Sequence, residues 1–415
     1  MTFGSRRTNK YIIIGLLAAS LFANVYLVFF SRPPAGDDED FLLSTSTDPA
    51  QLMCDAAPEP RAKTEENSTD VRLAVMPEVY TENMTCLSFS KHVDSADDFY
   101  SWRAIVVQKY RELRNIPSPE MLVTTNPPNR TGTFEINEGD YLIQRYSMQA
   151  IDGDTIIFYE VKPANVSGSL PTVLVVPGSG NQGVADVLGL DGEFKSRYYQ
   201  KSIAIEIAKR GYIVFAIENR GWGERTLDAK QCGRNEETTC SGLIFYEHAT
   251  SLGYDYLGLQ TADTLQLLQY MRSIEYVDKQ RIAIAGLSLG AFIAMSASVL
   301  DSNITSTVLA SGVISIEHTW SRGTGTLGTL RYFDGPDLAS TISPRHLYLS
   351  YGSKETLGFG IEADTLYSAD KISQTYELLD AGENIKVIVH SGGHTYDIPS
   401  VLEFLDTTLK DIKNT

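Results

Sequence analysis

The sequence predicts an α/β protein: a mostly parallel central sheet with helices on both faces, preceded by a membrane-spanning helix. Three observations lead there. Short apolar runs alternate with helical segments from about residue 170 to the C-terminus. The pentapeptide Gly286-Leu287-Ser288-Leu289-Gly290 joins one of those runs to the helix after it, and an uncharged apolar stretch stands at Tyr11–Phe30.

The strand runs are Thr172–Val176, Tyr212–Ile217, Arg281–Ala285, Ser306–Leu309, Leu347–Ser350 and Ile385–His390. The helical segments between and after them are Tyr199–Arg210, Leu257–Arg272, Leu289–Leu300 and about Pro399–Ile412. Strand, helix, strand in succession builds a parallel sheet covered on both faces. Upstream, a helix leads from Ala96 through Tyr110, and Tyr141–Met148 and Thr155–Val161, joined through Ile151-Asp152-Gly153-Asp154, read as a hairpin with Asp-Gly at its turn. Two long connections, about 226–255 and 314–345, interrupt the alternation; such loops are pocket walls or mobile surface. Trp320, Tyr332 and Phe333 in the second could line a substrate pocket, although ordinary packing explains each equally well.

Gly286 to Gly290 has the form of a nucleophile elbow, in which a serine takes a strained backbone at the apex of a sharp strand-to-helix turn. Glycines two residues either side let strand and helix pass closely, and the following helix aims its N-terminal amides at whatever the serine attacks. A lone G-x-S-x-G is a weak signal, with an ordinary turn as the plain alternative. The strand before and the amphipathic helix after make Ser288 the candidate nucleophile.

The segment Lys209-Arg210-Gly211-Tyr212-Ile213-Val214-Phe215-Ala216-Ile217-Glu218-Asn219-Arg220-Gly221-Trp222-Gly223-Glu224-Arg225 resembles the RGY-strand-D-x-R-G-x-G-E stretch of α/β-hydrolases. The order of elements over approximately residues 95–412 is similar to the acetylxylan-esterase-like and dienelactone-hydrolase-like branches of that superfamily. The resemblance implies the α/β-hydrolase fold and serine hydrolase chemistry without cofactor or metal. It further implies short acyl esters of a carbohydrate or small alcohol as substrates. Three departures stand out: Glu218 replaces a common Asp, Pro177 replaces the usual histidine of the oxyanion loop, and Ser288 replaces the cysteine of true dienelactone hydrolases. The first two leave the substrate open, and the third argues against dienelactone chemistry.

In this fold the catalytic groups follow in the order serine, acid, histidine. His394, in the loop Ser391-Gly392-Gly393-His394 after the last strong strand, is the candidate general base, because that loop shares a sheet edge with the elbow. His92, His248, His318, His346 and His390 have plainer readings in loops, strands or ahead of the domain. The acid should end the preceding strand, which selects Glu355 in Gly352-Ser353-Lys354-Glu355; Asp364, Asp370 and Asp397 are its rivals, and a solvated surface carboxylate is the alternative for each. Two backbone amides should form the oxyanion hole: that of Leu289, and that of Ser179 in Pro177-Gly178-Ser179-Gly180-Asn181-Gln182-Gly183. A phosphate-binding reading of this loop fails, since no Lys-Ser/Thr pair follows.

Arg6, Arg7 and Lys10 precede Tyr11–Phe30, which is long enough to cross a bilayer. A cleaved signal peptide normally has a shorter apolar region. The expected organisation is a cytosolic segment 1–10, an uncleaved anchor 11–30, a lumenal stalk 31–94 too polar to fold alone, and a catalytic domain 95–415 facing the lumen or cell exterior. Sequons at Asn67, Asn83, Asn129, Asn165 and Asn303 agree with that topology. The four cysteines suggest two disulfides, Cys232 with Cys240 and Cys54 with Cys86, among three possible connectivities. A net charge of −17 excludes nucleic acid as a partner and disfavours polyanionic substrates. Two other functions share these features: a peptidase or amidase with the same machinery, and a binding or adhesion module that keeps the scaffold alone. Such a module need keep no triad, whereas Ser288 and His394 stand where one would be.

Overall fold

The computed structural model describes residues 48–55, 85–123, 126–136, 141–180, 182–190, 199–226, 242–315, 328–355 and 362–410. Tyr11–Phe30, Asn67, Asn83, Cys232, Cys240 and Trp320 lie outside them. Among the described residues no helix is long and apolar enough to cross a membrane.

In chain order, α1 (Pro49–Asp55), α2 (Phe89–His92) and α3 (Ala96–Leu113) precede the strands β1 (Asn129–Ile136), β2 (Tyr141–Gln149), β3 (Thr155–Pro163) and β4 (Leu170–Val176). Then come α4 (Val184–Leu188), α5 (Ile203–Ala208), β5 (Ile213–Ile217), α6 (Gly242–Ser251), α7 (Tyr256–Ser273), β6 (Val277–Leu287), α8 (Leu289–Leu300) and β7 (Ser306–Ala310). The chain continues through α9 (Gly335–Ser340), β8 (His346–Gly352), α10 (Glu362–Leu378), β9 (Ile385–His390) and α11 (Ile398–Leu409). The strands form one sheet in the order β1-β2-β3-β5-β4-β6-β7-β8-β9. The pairs from β1 through β3 to β5 are antiparallel, and every pair from β5 to β9 is parallel. The hairpin expected at Asp152-Gly153 joins β2 to β3 in full register from Gln149↔Thr155 to Tyr141↔Pro163.

Period-two alternation sends neighbouring residues of each central strand into different cores. Leu174, Val176, Ile282 and Ile284 enter the core with α3, α7, α8 and α10, while Val173, Val175, Ala283 and Ala285 enter the other with α4, α5 and α11. Because both faces are covered, the central strands read as continuous apolar runs; β5 is buried at all of its residues. Side chains supply the helix starts as well: Ser95 accepts the Asp98 N–H ahead of α3, and Asp255 accepts the Gly258 N–H ahead of α7.

The packed unit begins well before residue 95. Ala50, Leu87 and Val93 are buried in the same core as α3, so the segments 48–55 and 85–94, which composition assigns to the stalk, belong to the domain. Here the holding forces are specific rather than periodic. Cys54 and Cys86 form a disulfide, in agreement with the pairing expected from the sequence. The N–H groups of Thr85, Cys86 and Leu87 donate to the carbonyls of Leu330, Arg331 and Tyr332. Asp337 then accepts from Ser88 Oγ and the Phe89 N–H, and Trp102 Nε1 donates to the Leu87 carbonyl. His92, which the sequence places ahead of the folded part, sits in this strap with Nε2 2.6 Å from the Cys86 carbonyl.

The connection 226–255 holds α6, and of the connection 314–345 Phe333 is fully buried against Tyr110 with ring centroids 6.0 Å apart, which makes it core. The acceptor asparagines Asn129, Asn165 and Asn303 are all exposed.

Candidate active site

Ser288 lies at the end of β6, where the sheet order reverses: β4 leads outward to β5 on one side and β6 to β7 on the other. Loops leaving such a switch point diverge and open a crevice at the carboxyl edge of the strands. Ser288 takes φ 58° and ψ −124°, a region that costs an L-residue roughly 1–3 kcal/mol. The tight crossing explains both flanking glycines. A Cβ on Gly286 would lie 2.1 Å from the Gly290 carbonyl oxygen, and one on Gly290 would lie 2.1 Å from the Val176 oxygen. The elbow is fixed further by the Ser288 N–H, which donates to the Ala310 carbonyl of β7 at 2.9 Å.

Glu355 and His394 follow β8 and β9, and the structure brings them together: His394 Nδ1 is 2.8 Å from Glu355 Oε2. The Glu355 side chain is fully buried and that of His394 is 9 % exposed, so their interaction is shielded from solvent. Backbone bonds knit the two loops, with the N–H of Ser353 donating to His390 and that of Lys354 to Gly392. Ser311, just past β7, donates its hydroxyl to Glu355 Oε2 at 3.0 Å. Two of the rival carboxylates are engaged elsewhere. Asp397 accepts from Ser400 Oγ, and Asp370 is exposed and accepts from Gln374. Asp364 belongs to the first turn of α10, and its side chain lies outside the described residues.

The two amides expected to hold an oxyanion flank the crevice. Leu289 is the first residue of α8, so its N–H has no intrahelical acceptor. Ser179 is exposed in the loop after β4, and the residues before it are gripped: Asn219 Nδ2 donates to the Pro177 carbonyl, and the Gly178 N–H donates to Gln200 Oε1, each at 2.7 Å. Ser311, Gln200, Asn219 and Tyr199, whose ring lies 5.4 Å from that of His394, are site residues that sequence reasoning missed. Only Asn219 carried a signal, standing inside the segment that resembles α/β-hydrolases.

That segment otherwise serves as a brace. Arg220 and Arg225 both pair with buried Asp263 of α7 and reach Asp152 and Asp154 in the hairpin turn. Glu218 is buried at the start of this turn, where its carboxyl accepts the Val184 N–H at 3.1 Å and the Glu224 amide. Burial pushes its pKa from 4.5 up to about 8. Between those two values the folded chain holds the proton more tightly than the unfolded one, so this group's contribution to stability is largest below 4.5 and is lost as pH rises through about 8. Glu218→Gln imitates the neutral acid. Urea midpoints at pH 5 and pH 8.5 should therefore fall less for the variant than for the wild type; equal falls would show that Glu218 is not the titrating group.

A family model described as the Abhydrolase family matches residues 72–317, more than half of the chain. The provisionally named hydrolase YtaP of Bacillus subtilis (strain 168) is 27 % identical over 254 residues, which span 57 % of this chain and 77 % of that protein. Among solved structures, a provisionally named acetyl xylan esterase from Bacteroides fragilis NCTC 9343 superposes with a TM-score of 0.61 at 19 % identity, covering 80 % of this chain and 84 % of its own. A glucuronoyl esterase from Solibacter usitatus superposes with a TM-score of 0.55 at 15 % identity, covering 76 % and 94 %. These likenesses establish the α/β-hydrolase fold.

Proposed function

The chain belongs to the Abhydrolase family, and from that premise we propose that it is a serine ester hydrolase with Ser288 as nucleophile, His394 as general base and Glu355 as the acid that orients it. The observation that carries the reading is the buried 2.8 Å contact between His394 and Glu355, on the same sheet edge as a serine in strained elbow geometry. His394 takes the proton from Ser288 Oγ as the serine attacks the ester carbonyl. Glu355 accepts the hydrogen bond from Nδ1 and stabilises the imidazolium. The amides of Leu289 and Ser179 receive the developing oxyanion. His394 returns the proton to the departing alcohol, and water repeats the sequence to release the acyl group.

The names of the two esterase neighbours support an acyl ester of a carbohydrate or a small alcohol as the substrate class. A fluorophosphonate probe should label Ser288, and p-nitrophenyl acetate should be hydrolysed faster than long-chain esters. A folded protein inert to both would sink the reading.

Tyr11–Phe30 is proposed as an uncleaved anchor that leaves the catalytic domain lumenal or extracellular, with glycans on the exposed sequons. The full-length protein should resist carbonate extraction and shift on endoglycosidase treatment; a soluble form beginning near residue 23 would overturn the anchor.

A further inference from the structure

We propose that Tyr199 is a positioning residue that couples the oxyanion loop to the catalytic histidine, an inference that rests on the serine-hydrolase reading above. Three contacts meet on this one residue. Its hydroxyl donates to the Ser179 carbonyl at 2.7 Å, its ring lies over His394 with centroids 5.4 Å apart and planes inclined by 31°, and its own carbonyl accepts the hydroxyl of Thr395, the residue after His394.

The consequence lies in which peptides are held. Asn219 binds the carbonyl and Gln200 the N–H of the same Pro177–Gly178 peptide. Tyr199 binds the carbonyl of the Ser179–Gly180 peptide. Between these two clamped units stands the Gly178–Ser179 peptide, whose N–H is the proposed oxyanion donor. With its neighbours fixed, that N–H keeps its aim without reorganisation during the reaction, which is what makes such a donor effective. Gly178 makes the arrangement possible, since a Cβ there would lie 2.3 Å from the Tyr199 hydroxyl oxygen. Burial pushes the Tyr199 phenol well above its ordinary pKa, so it remains a donor throughout the working range.

Tyr199→Phe deletes the clamp on Ser179 and keeps the ring over His394; Tyr199→Leu deletes both. Removing an oxyanion donor outright costs about 10²–10³ in kcat, and loosening one should cost about tenfold. In the full-length protein, Tyr199→Phe should lower kcat for p-nitrophenyl acetate about tenfold with KM unchanged, and Tyr199→Leu should lower it further. Amide exchange of residues 178–180 should quicken in Tyr199→Phe while that of the β6–α8 elbow stays as in the wild type. Wild-type kcat and exchange in Tyr199→Phe would overturn the proposal, as would faster exchange across the whole domain, which marks a general packing role. Failure of the wild type to react with fluorophosphonate would sink the hydrolase reading instead, and exchange at 178–180 judges the clamp independently of turnover.

Discussion

Ser288→Ala should abolish ester hydrolysis and leave the protein folded. Deleting a triad nucleophile can cost on the order of a million-fold in turnover, because His394 and the oxyanion donors then have no attacking atom to serve. Folding should survive for local reasons. The Ser288 N–H, not its side chain, makes the bond to Ala310, and the close passage of strand and helix depends on Gly286 and Gly290. Alanine must still adopt φ near 58°, which is no harder for it than for serine. The measurements are p-nitrophenyl acetate turnover and fluorophosphonate labelling alongside the thermal midpoint; retained turnover in a folded variant would remove Ser288 from the mechanism. Adding His394→Ala should cost little more, since a nucleophile and its base act as one unit.

Glu355→Gln should lower kcat roughly ten-thousand-fold while the fold persists, if it behaves as the acid of other triads. The carboxylate accepts from both His394 Nδ1 and Ser311 Oγ. An amide can turn its NH₂ toward Nδ1, which then must be unprotonated, and the imidazole presents its proton rather than its lone pair to Ser288. The loss should appear in kcat, with KM little changed. Asp397→Asn is the control: its carboxylate accepts from Ser400 at the start of α11, so the variant should lose some stability and little activity. A severe Asp397→Asn beside a mild Glu355→Gln would reassign the acid.

The site's skeleton was legible because each part is announced locally. Gly286 and Gly290 report a crossing too close for any side chain, and β9 and its histidine loop follow from the apolar, β-branched run Val387-Ile388-Val389. Other elements gave no such notice. The helix α10 buries Thr365, Ser368 and Thr375 alongside Ala369, Ile372 and Tyr376, so half of its described inward stripe is polar and the apolar period is blurred. The edge strand β1 reads Asn-Arg-Thr-Gly-Thr-Phe-Glu-Ile and carries an irregularity between Arg130 and Gly132, a pattern no different from a polar loop. The clamp residues Tyr199 and Gln200 owe their roles to segments that meet only in the folded chain, which spacing along the sequence does not encode. The strap at 85–93 was missed for a similar reason, being held by backbone pairing and a cross-link rather than by apolar periodicity.

The Cys54–Cys86 bridge has a bearing on what limited proteolysis can separate. A protease that cuts the chain anywhere between those two cysteines divides the backbone without separating the pieces. The fragment that carries Cys54, with everything N-terminal to it, stays covalently tied to the catalytic domain until a reductant arrives. Such a nicked molecule migrates as one band without thiol and as two bands with it. Separation of the N-terminal residues without thiol therefore calls for a cut ahead of Cys54, and a gel run only under reducing conditions would report separation where none had occurred.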